Sequence, residues 1–317
     1  MDSKRSSAWK VVWKVAVVIA WWLLFAAIVW AEEEAGGEQR KFGFIDVLLL
    51  PKIWIGAIFC AVGLVLLMRA KVSRNLRLVW LAVAFVAFGV LGALPVEGLA
   101  RGMGLHPSPV CAITRPFQFV NAGRPIPVAF FTIVGVISVL SIAGNKLFCG
   151  WVCPLGAIQE IPQRIKLPKK VREKIRITLP FKVTNTIRVL IFIAFLPVVF
   201  TVGRSIYDYF NPFEFFHWKF GTVAVVSLAV TLVASVFVFR PFCYLACPIG
   251  LWTWVLEHFS LVKIRVDKEG CDMCEACLKL TNCPSVAPAL EDKKSRPDCH
   301  ACGQCITACP KNALRFR

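Results

Sequence analysis

Six separated runs of apolar residues constrain this chain most, because each approaches the ~20 residues that a helix needs to cross a bilayer. The runs cover approximately residues 11–31, 53–69, 78–95, 126–144, 187–202 and 221–239. Hydrophobic residues make up 57% of the 317-residue chain and charged residues 18%, whereas a soluble domain carries about 45–50% and about 25%. The sequence therefore predicts an integral membrane protein with an all-α polytopic membrane domain of about six transmembrane helices.

The basic residues predict the orientation of these spans. The net charge is +18, and Lys and Arg gather in the N-terminal tail and in the loops after the second and fourth runs. Such loops stay on the cytoplasmic side, so both termini are expected in the cytoplasm and the protein in the cell inner membrane. The same clustering argues against nucleic acid as a partner. Lys4 and Arg5 also fit a signal peptide, but run 11–31 exceeds the ~7–15 apolar residues of such a peptide and favours a retained helix.

The membrane part contains an internal repeat. Segment 148–156 (FCGWVCPLG) matches segment 242–250 (FCYLACPIG), and both cysteines are displaced by 94 residues, since 243 − 149 = 94. A weaker match lies upstream, where Pro-Phe-x-Phe occurs at 116–119 and 212–215 in two predicted outer loops. Each half is therefore predicted to run from a span through an outer loop to a second span, and to end in Cys-x3-Cys-Pro at the cytoplasmic exit. An even number of spans per unit makes the repeats parallel, which brings the two cysteine pairs to the same depth.

The C-terminal segment has the cysteine spacing of a two-cluster ferredoxin. A run of Cys-x2-Cys-x2-Cys-x5-Cys-Pro is followed by Cys-x2-Cys-x2-Cys-x3-Cys-Pro, and the second run has the bacterial ferredoxin spacing. In that motif three thiolates hold one cluster, and the Cys-Pro cysteine crosses to the other cluster. We therefore expect two [4Fe-4S] clusters, with the ligands Cys271, Cys274, Cys277 and Cys309 for cluster 1 and Cys299, Cys302, Cys305 and Cys283 for cluster 2.

Residues 261–317 are thus predicted to form a small α+β ferredoxin domain of the bacterial 2[4Fe-4S] type on the cytoplasmic side. A pair of zinc sites is the alternative. Zinc usually takes two separated Cys-x2-Cys pairs, however, rather than a triple with a distal Cys-Pro. His300, between two predicted ligands, is expected to tune the charge or potential of its cluster rather than to bind iron.

Cys149, Cys153, Cys243 and Cys247 are candidate ligands of a third metal site. A Cys-x3-Cys spacing puts both sulfur atoms on one face of a helix. The proline after each pair looks like a first-turn proline, so a positive helix end would lie beside the thiolates. A third [4Fe-4S] cluster at the repeat interface is the preferred hypothesis. A Cu(I) or zinc site, a redox-active thiol system and purely structural cysteines stay open, because ligand type alone does not decide between these metals.

Two cysteines lie outside the clusters. Cys60, within the second span, is expected to be a small buried hydrophobic side chain. Cys111 and His106 share an outer loop and are interpreted as an incidental pair, with contact to a cofactor or metal as the alternative.

Four further polar residues carry weaker signals. Gln118 and Glu214 hold equivalent repeat positions in the outer loops and predict either loop packing or a cleft for a quinone or partner. Glu160 and Glu257 follow the membrane cysteines and are weak candidates for a proton relay. The sequence has no phosphate-binding glycine loop, hydrolase triad or nucleotide fingerprint, so no catalytic residue is predicted.

These motifs together resemble the NapH/NosR-type membrane polyferredoxins over roughly residues 78–317. The resemblance implies a protein that passes electrons between the quinone pool and a partner reductase or maturation system. A related branch, the CcoG-type proteins, is similar in its cysteine motifs and is linked to copper reduction during oxidase assembly. The chain lacks the long extracytoplasmic flavin-binding domain of the larger NosR pattern, which argues against a NosR role.

We accordingly expect three parts: a two-helix membrane segment (1–77), a duplicated four-helix membrane domain (78–260) and the ferredoxin domain (261–317). The predicted function is that of an iron–sulfur electron-transfer subunit of a quinone-linked oxidoreductase, with other subunits and quinone or quinol as partners. An assembly factor such as a copper reductase is the alternative. All the predicted ligands lie at or below the cytoplasmic face, so electrons bound for the far side need a quinone or another subunit.

Overall fold

The computed structural model describes residues 43–91, 107–165, 168, 171, 174–217, 221–281, 283–291 and 298–317. The predicted first span, its acidic outer loop and His106 lie outside these residues. The helices of the membrane part are α1 Phe44–Leu48, α2 Pro51–Met68, α3 Arg74–Ala84, α4 Pro109–Asn121, α5 Val128–Gly144, α6 Leu147–Trp151, α7 Pro154–Arg164, α8 Phe181–Val202, α9 Thr222–Phe237, α10 Pro241–Leu245 and α11 Pro248–Glu257. A π-helical turn, Phe85–Leu91, extends α3, and two 3₁₀ helices, Ile206–Tyr209 and Pro212–His217, precede α9.

Within the described residues, three helices are long and apolar enough to cross a membrane: α2, α3 with its π-helical extension, and α8. They correspond to the second, third and fifth predicted spans. The fourth and sixth predicted spans are the shorter apolar helices α5 and α9. The chain is therefore mostly helical with membrane-spanning candidates, and six transmembrane helices stay a prediction.

The apolar character of α2 runs all round the helix, as expected of a helix in lipid. Its outward side chains, such as Trp54 and Ile58, are more than half exposed, while Gly56 and Gly63 are buried on the opposite side. A Cβ added to Gly63 would lie 2.3 Å from the ring of Trp151. The glycine is therefore what lets α6 pack directly on the middle of α2, a close approach typical of helices in membranes.

The chain turns back on itself after α5. Asn145 has a left-handed backbone (φ 58°), and α6 then packs against both α2 and α5. Val152 reaches the level of Gly56, where a Cβ would lie 3.5 Å from it. The hairpin of α6 and α7 thus re-enters the helical bundle beside the central part of α2, instead of ending at its rim.

The same order of elements follows in the second half. The apolar helix α9 ends before Arg240, whose backbone also has a positive φ (49°). The short helix α10 follows, and Cys247 connects it to α11. The two halves therefore share one local architecture. A parallel duplication is consistent with it and stays a prediction.

The two Pro-Phe-x-Phe segments are helical, although the sequence predicted loops. The first lies within α4 and the second in the 3₁₀ helix Pro212–His217. Phe213 and Phe216 are buried in one apolar cluster with Val110 and Cys149. Segments from the predicted outer side therefore fold inward until they meet the cysteine hairpins.

The C-terminal part is a small α+β unit. Strands β1 (Ile264–Val266) and β2 (Leu314–Phe316) pair antiparallel, with Ile264 opposite Phe316. Three five-residue helices complete the unit: α12 Ala276–Leu280, α13 Val286–Leu290 and α14 Gln304–Ala308. The unit packs on the end of α2 near Leu67, so α2 contacts both other predicted parts and their boundaries stay a prediction.

Candidate metal centres

The predicted ligands of cluster 1 surround one cavity. The cavity measures about 320 Å³, and its lining includes Cys271, Cys274, Cys277 and Cys309. Cys274 is exposed and Cys271 and Cys309 are partly exposed, so this quartet lies at the outer surface of the ferredoxin domain.

The predicted ligands of cluster 2 surround a second cavity of about 430 Å³. Its lining includes Cys283, Cys299, Cys302 and Cys305, together with His300. Cys299 and Cys302 are buried. Burial raises the pKa of the Cys299 thiol to about 12, so a cationic metal has to displace this proton before the sulfur becomes a ligand.

The backbone around both quartets is shaped for an anionic group. In the first cysteine loop Met273 and Glu275 have positive φ (54° and 56°), and in the second loop Ala301 and Gly303 take the same positions (48° and 70°). Turns of this kind direct successive N–H groups into a concavity that attracts anions. A thiolate-ligated iron–sulfur cluster is such an anion, so both loops fit one.

The four membrane cysteines also meet at one place, although they come from two separate hairpins. All six pairs among Cys149, Cys153, Cys243 and Cys247 interact electrostatically. Each of the four residues is no more than 9% exposed. Gln159 donates a hydrogen bond to the sulfur of Cys243 (3.6 Å), which adds a fixed dipole to the quartet.

Local sequence explains how each hairpin presents its cysteines. Helices α7 and α11 begin at Pro154 and Pro248, and the preceding cysteine is the N-cap in both. The third residue of each helix is glycine, and a Cβ there would lie within 2.8 Å of the carbonyl oxygen of the first cysteine of the pair. The motif is therefore Cys-x3-Cys-Pro-x-Gly, since proline starts the helix and glycine allows the two turns to touch.

A first buried charge network stands beside the quartet. The Glu160 carboxylate accepts two hydrogen bonds from Arg77, both 2.9 Å, and pairs with Arg164 and Arg240. Burial alone would raise the pKa of Glu160, but the three guanidinium groups outweigh it and hold that pKa well below its usual range. Arg240 also donates to the carbonyl oxygen of Cys149 at 2.5 Å.

A second buried network links the membrane part to the ferredoxin domain. The carboxylate of Asp298 pairs with Lys146 and, at 3.2 Å, with Arg188. Arg188 also donates to the carbonyl oxygen of Cys243 at 3.1 Å. Nearby Glu257 accepts from the backbone N–H of Asp298 at 2.8 Å, and burial followed by repulsion from Asp298 raises its pKa to about 8.

These networks leave an excess of buried positive charge. Five buried cations (Lys146, Arg77, Arg164, Arg188 and Arg240) face two ionised carboxylates, because Glu257 keeps its proton at neutral pH. Three of the guanidinium groups also have a buried nitrogen without a hydrogen-bond partner. Burying unpaired charge is costly, so the site fits an anionic group held by the cysteine quartet.

In the described part of the chain, no three His, Cys, Asp or Glu side chains come together closely enough to hold a single metal ion.

The loop of the second quartet docks directly on the membrane part. Trp151 donates from Nε1 to the carbonyl oxygen of Ala301 (2.8 Å), and Arg164 donates to that of Cys302 (3.0 Å). The hydroxyl of Tyr244, next to Cys243, donates to the carbonyl oxygen of Asp298 at 3.0 Å. The loop of the second quartet consequently contacts residues next to the membrane cysteines directly.

His300 lies inside this interface. Its ring packs against Tyr244 at a centroid distance of 5.0 Å. Burial, followed by repulsion from Arg240 and Lys146, lowers the pKa of His300 well below its usual range. The imidazole is therefore neutral and adds no charge to the adjoining quartet.

The remaining sequence candidates take ordinary positions. Cys60 is 1% exposed, as predicted, and it interacts electrostatically with Cys149. Cys111 is buried in the first turn of α4, outside all three quartets. Gln118 lines a cleft and lies 3.5 Å from the carboxylate of Asp208, whereas Glu214 is not among the residues that line this cleft.

The sequence suggests Arg240 as a cation that offsets the charge of a cluster, but sequence reasoning missed the other buried cations around the quartet. Lys146 and Arg77 looked like loop residues that set the topology, yet both are fully buried. One signal was available: Lys146 and Arg240 occupy equivalent repeat positions, since 240 − 146 = 94, each three residues before a first cysteine. Arg188 was a second signal, because it is a charged residue inside a predicted apolar run.

Comparison with known proteins agrees with this picture. A family model described as a 4Fe-4S binding domain matches residues 126–177 and 220–266, and another with the same description matches residues 296–315. The chain is 29% identical to the ferredoxin-type protein NapH of Haemophilus influenzae, over 62% of this chain and 71% of that protein. It is 27% identical to the methylamine utilization ferredoxin-type protein MauN of Methylorubrum extorquens, over 73% and 85% of the two chains.

The putative electron transport protein YccM of Escherichia coli is 28% identical, over 70% of this chain and 61% of that protein. No solved structure matches the chain. The membrane quartet and the cysteines of residues 299–309 lie within these matched regions, whereas Cys271, Cys274, Cys277 and Cys283 lie between them. The apolar helices support a membrane protein.

Proposed function

We propose that this chain, a homologue of the NapH-type ferredoxin-like proteins, is a membrane-bound electron-transfer subunit that relays electrons between quinone or quinol and a partner redox protein. Each [4Fe-4S] cluster, when bound, supplies one-electron redox chemistry. The protein would hold three of them, one in each quartet. The observation that carries the proposal is the continuous series of cysteine quartets, from exposed Cys274 through the docked loop at Cys302 to the buried membrane quartet.

The residues around the series have defined tasks. Buried Trp151 and Tyr244 close the contact between the second and third quartets and exclude water from it. Arg240 interacts electrostatically with both Cys243 and Cys302. One cation therefore offsets the negative charge on both sides of this contact, which favours holding an additional electron there.

The exposed first quartet is the natural contact for a soluble or peripheral partner on the ferredoxin side, and the basic loops support a cytoplasmic location for that side. The membrane quartet lies beside Cys60, in the middle of α2, deeper than the sequence suggested. The distance between this quartet and a quinone in the bilayer would thus be shorter than for ligands at the cytoplasmic rim.

The metal content tests the third quartet. Anaerobically purified protein is expected to hold about twelve iron atoms and as many acid-labile sulfides per chain, and Cys149→Ala about eight. Cys111→Ala is the matched control, because Cys111 is buried but lies outside the quartets. An unchanged iron count in Cys149→Ala contradicts a third cluster.

Reduction by quinol tests the relay. Adding a quinol to the oxidised protein in detergent should produce the electron paramagnetic resonance signals of reduced clusters. In a separate experiment, a partner redox protein should co-purify with this chain in a fixed ratio. Two results together would replace this proposal by the alternative of a copper-reducing assembly factor. The isolated protein would bind copper, and deletion of its gene would lower the metal content of another enzyme.

A further inference from the structure

An apolar cavity lies against the membrane quartet. The empty space within it is about 500 Å³ when the part open to solvent is included, and its lining is almost wholly apolar, as is usual for small-molecule sites. The lining includes Phe148, Val152 and Pro154, which directly flank Cys149 and Cys153 in the sequence. One wall of the cavity is therefore built from the hairpin that carries two of the predicted ligands.

The opposite wall comes from the long helices and the inward-folded outer segment. Ile53 of α2, Phe88 of the π-helical turn, Pro107, Pro109 of α4 and Ile133 of α5 contribute to it. A π-helical turn widens a helix locally and is frequent at functional sites. Phe88 and Phe148 supply aromatic faces suited to a flat ring.

Lys52 gives this apolar cavity one charged group. It stands in the first turn of α2 and is the one ionisable residue among the described lining residues. An ammonium group offers three hydrogen-bond donors and no acceptor. A ligand of this cavity should therefore be mostly apolar and carry a hydrogen-bond acceptor.

The position of the cavity along α2 is also defined. Lys52 and Ile53 are at one end of the helix, whereas Leu67, at the other end, faces the ferredoxin domain, since a Cβ on Gly303 would lie 3.1 Å from it. The cavity and the ferredoxin domain thus lie at opposite ends of α2, with the membrane quartet between them.

We propose that this cavity binds the head-group ring of an isoprenoid quinone, with a quinone oxygen accepting a hydrogen bond from Lys52. The proposal rests on the proposed function and gives the quinone its place. The ring is flat and apolar with oxygen acceptors, which matches the aromatic walls and the single donor. A lipid acyl chain would fill the same volume but has no acceptor for Lys52.

A second cleft provides the comparison. It measures about 990 Å³ and is lined by Arg115, Gln118, Arg124, Asp208 and Tyr209, among others. Its lining carries both signs of charge beside apolar residues, which suits a charged or polar ligand or partner better than a quinone ring. It does not include residues adjacent to the cysteine quartet.

The test is equilibrium binding of decylubiquinone to oxidised protein in detergent. Quenching of tryptophan fluorescence measures the fraction of protein that has bound the quinone. Lys52→Met should raise the Kd about tenfold to a hundredfold, because a hydrogen bond to a charged group contributes about 1.5–3 kcal/mol. Ile133→Trp, which fills the cavity, should abolish binding. Tyr209→Ala, in the second cleft, should leave the Kd unchanged, and an unchanged iron content shows that each variant is folded.

The outcomes separate this proposal from the one on which it rests. If the wild-type protein binds decylubiquinone and both cavity variants bind equally well, the site is wrong while the relay stands. Binding lost only in Tyr209→Ala moves the site to the second cleft. Binding that Ile133→Trp removes and Lys52→Met leaves intact indicates an acyl-chain cavity. A wild-type protein that neither binds the quinone nor is reduced by quinol overturns the proposed function itself.

Discussion

Replacing Gly150 by alanine should loosen the ferredoxin domain from the membrane part. A Cβ on Gly150 would lie 2.1 Å from the carbonyl oxygen of His300, and real Cβ atoms essentially never approach within 3.0 Å. The carbonyl oxygen of His300 belongs to the backbone, and the added Cβ is attached directly to the backbone of residue 150, so no side-chain rotation can relieve the contact. The loop around His300 must therefore move by at least 0.9 Å, since 3.0 − 2.1 = 0.9.

The cost follows from the bonds that this movement stretches. A shift of that size takes the Trp151–Ala301 contact from 2.8 Å and the Arg164–Cys302 contact from 3.0 Å past ordinary hydrogen-bond length. The neutral bond contributes about 1 kcal/mol and the charged one about 1.5–3 kcal/mol, and overpacking costs about 1–3 kcal/mol. Together these remove roughly 3.5–7 kcal/mol of docking free energy, a large part of a typical domain stability of about 5–15 kcal/mol.

Hydrogen exchange of peptides covering residues 298–309 measures the docking directly, and exchange there should accelerate in Gly150→Ala. The matched control is Gly221→Ala, because Gly221 has no atom within 4 Å of an added Cβ and no positive φ. If Gly150→Ala exchanges as slowly as the wild type and keeps its melting temperature, the docked arrangement described above is wrong.

Three further substitutions probe the buried core. Glu160→Gln leaves its arginine partners without a carboxylate and should lower the free energy of unfolding by about 3–5 kcal/mol, which a lower melting temperature would show. Asp272→Asn removes a carboxylate from an exposed ion pair and should leave the melting temperature almost unchanged. Glu257 keeps its proton up to a pH of about 8 when folded but only to about 4.5 when unfolded. Its contribution to stability therefore falls as pH rises between those values, and Glu257→Gln should flatten that part of the pH profile of the melting temperature. Gly63→Ala places a Cβ 2.3 Å from the Trp151 ring and should cost at least about 1–3 kcal/mol. A Gly63→Ala, Trp151→Leu double variant that recovers none of this loss would contradict the packing.

The local chemistry of the cysteine motifs is predictable because it depends on short-range spacing. Pro154 and Pro248 begin helices as the sequence indicates, since proline suits the first turn. The predicted ligand sets of the ferredoxin part line separate cavities for the same reason, because Cys-x2-Cys-x2-Cys spacing shapes a loop almost independently of the rest of the chain. The identity of the bound group stays a prediction.

The depth of the membrane quartet was not predictable in this way. It depends on reversals at Asn145 and Arg240, and left-handed backbone at such residues has no strong sequence signal. It also depends on Arg77, Lys146 and Arg188 pairing with partners far along the chain. Pairing over such separations is a tertiary outcome, so a hydropathy profile assigns these residues to loops or span ends.

The pairing of Asp298 with Lys146 and Arg188 has a consequence for synthesis of the chain. The two cations leave the ribosome more than a hundred residues before the carboxylate that neutralises them. We therefore expect the bundle to remain incompletely packed until residue 298 has left the ribosome. A nascent chain stopped at residue 260 should accordingly be a target for membrane quality control rather than a stable fragment, because its interior still contains unneutralised charge.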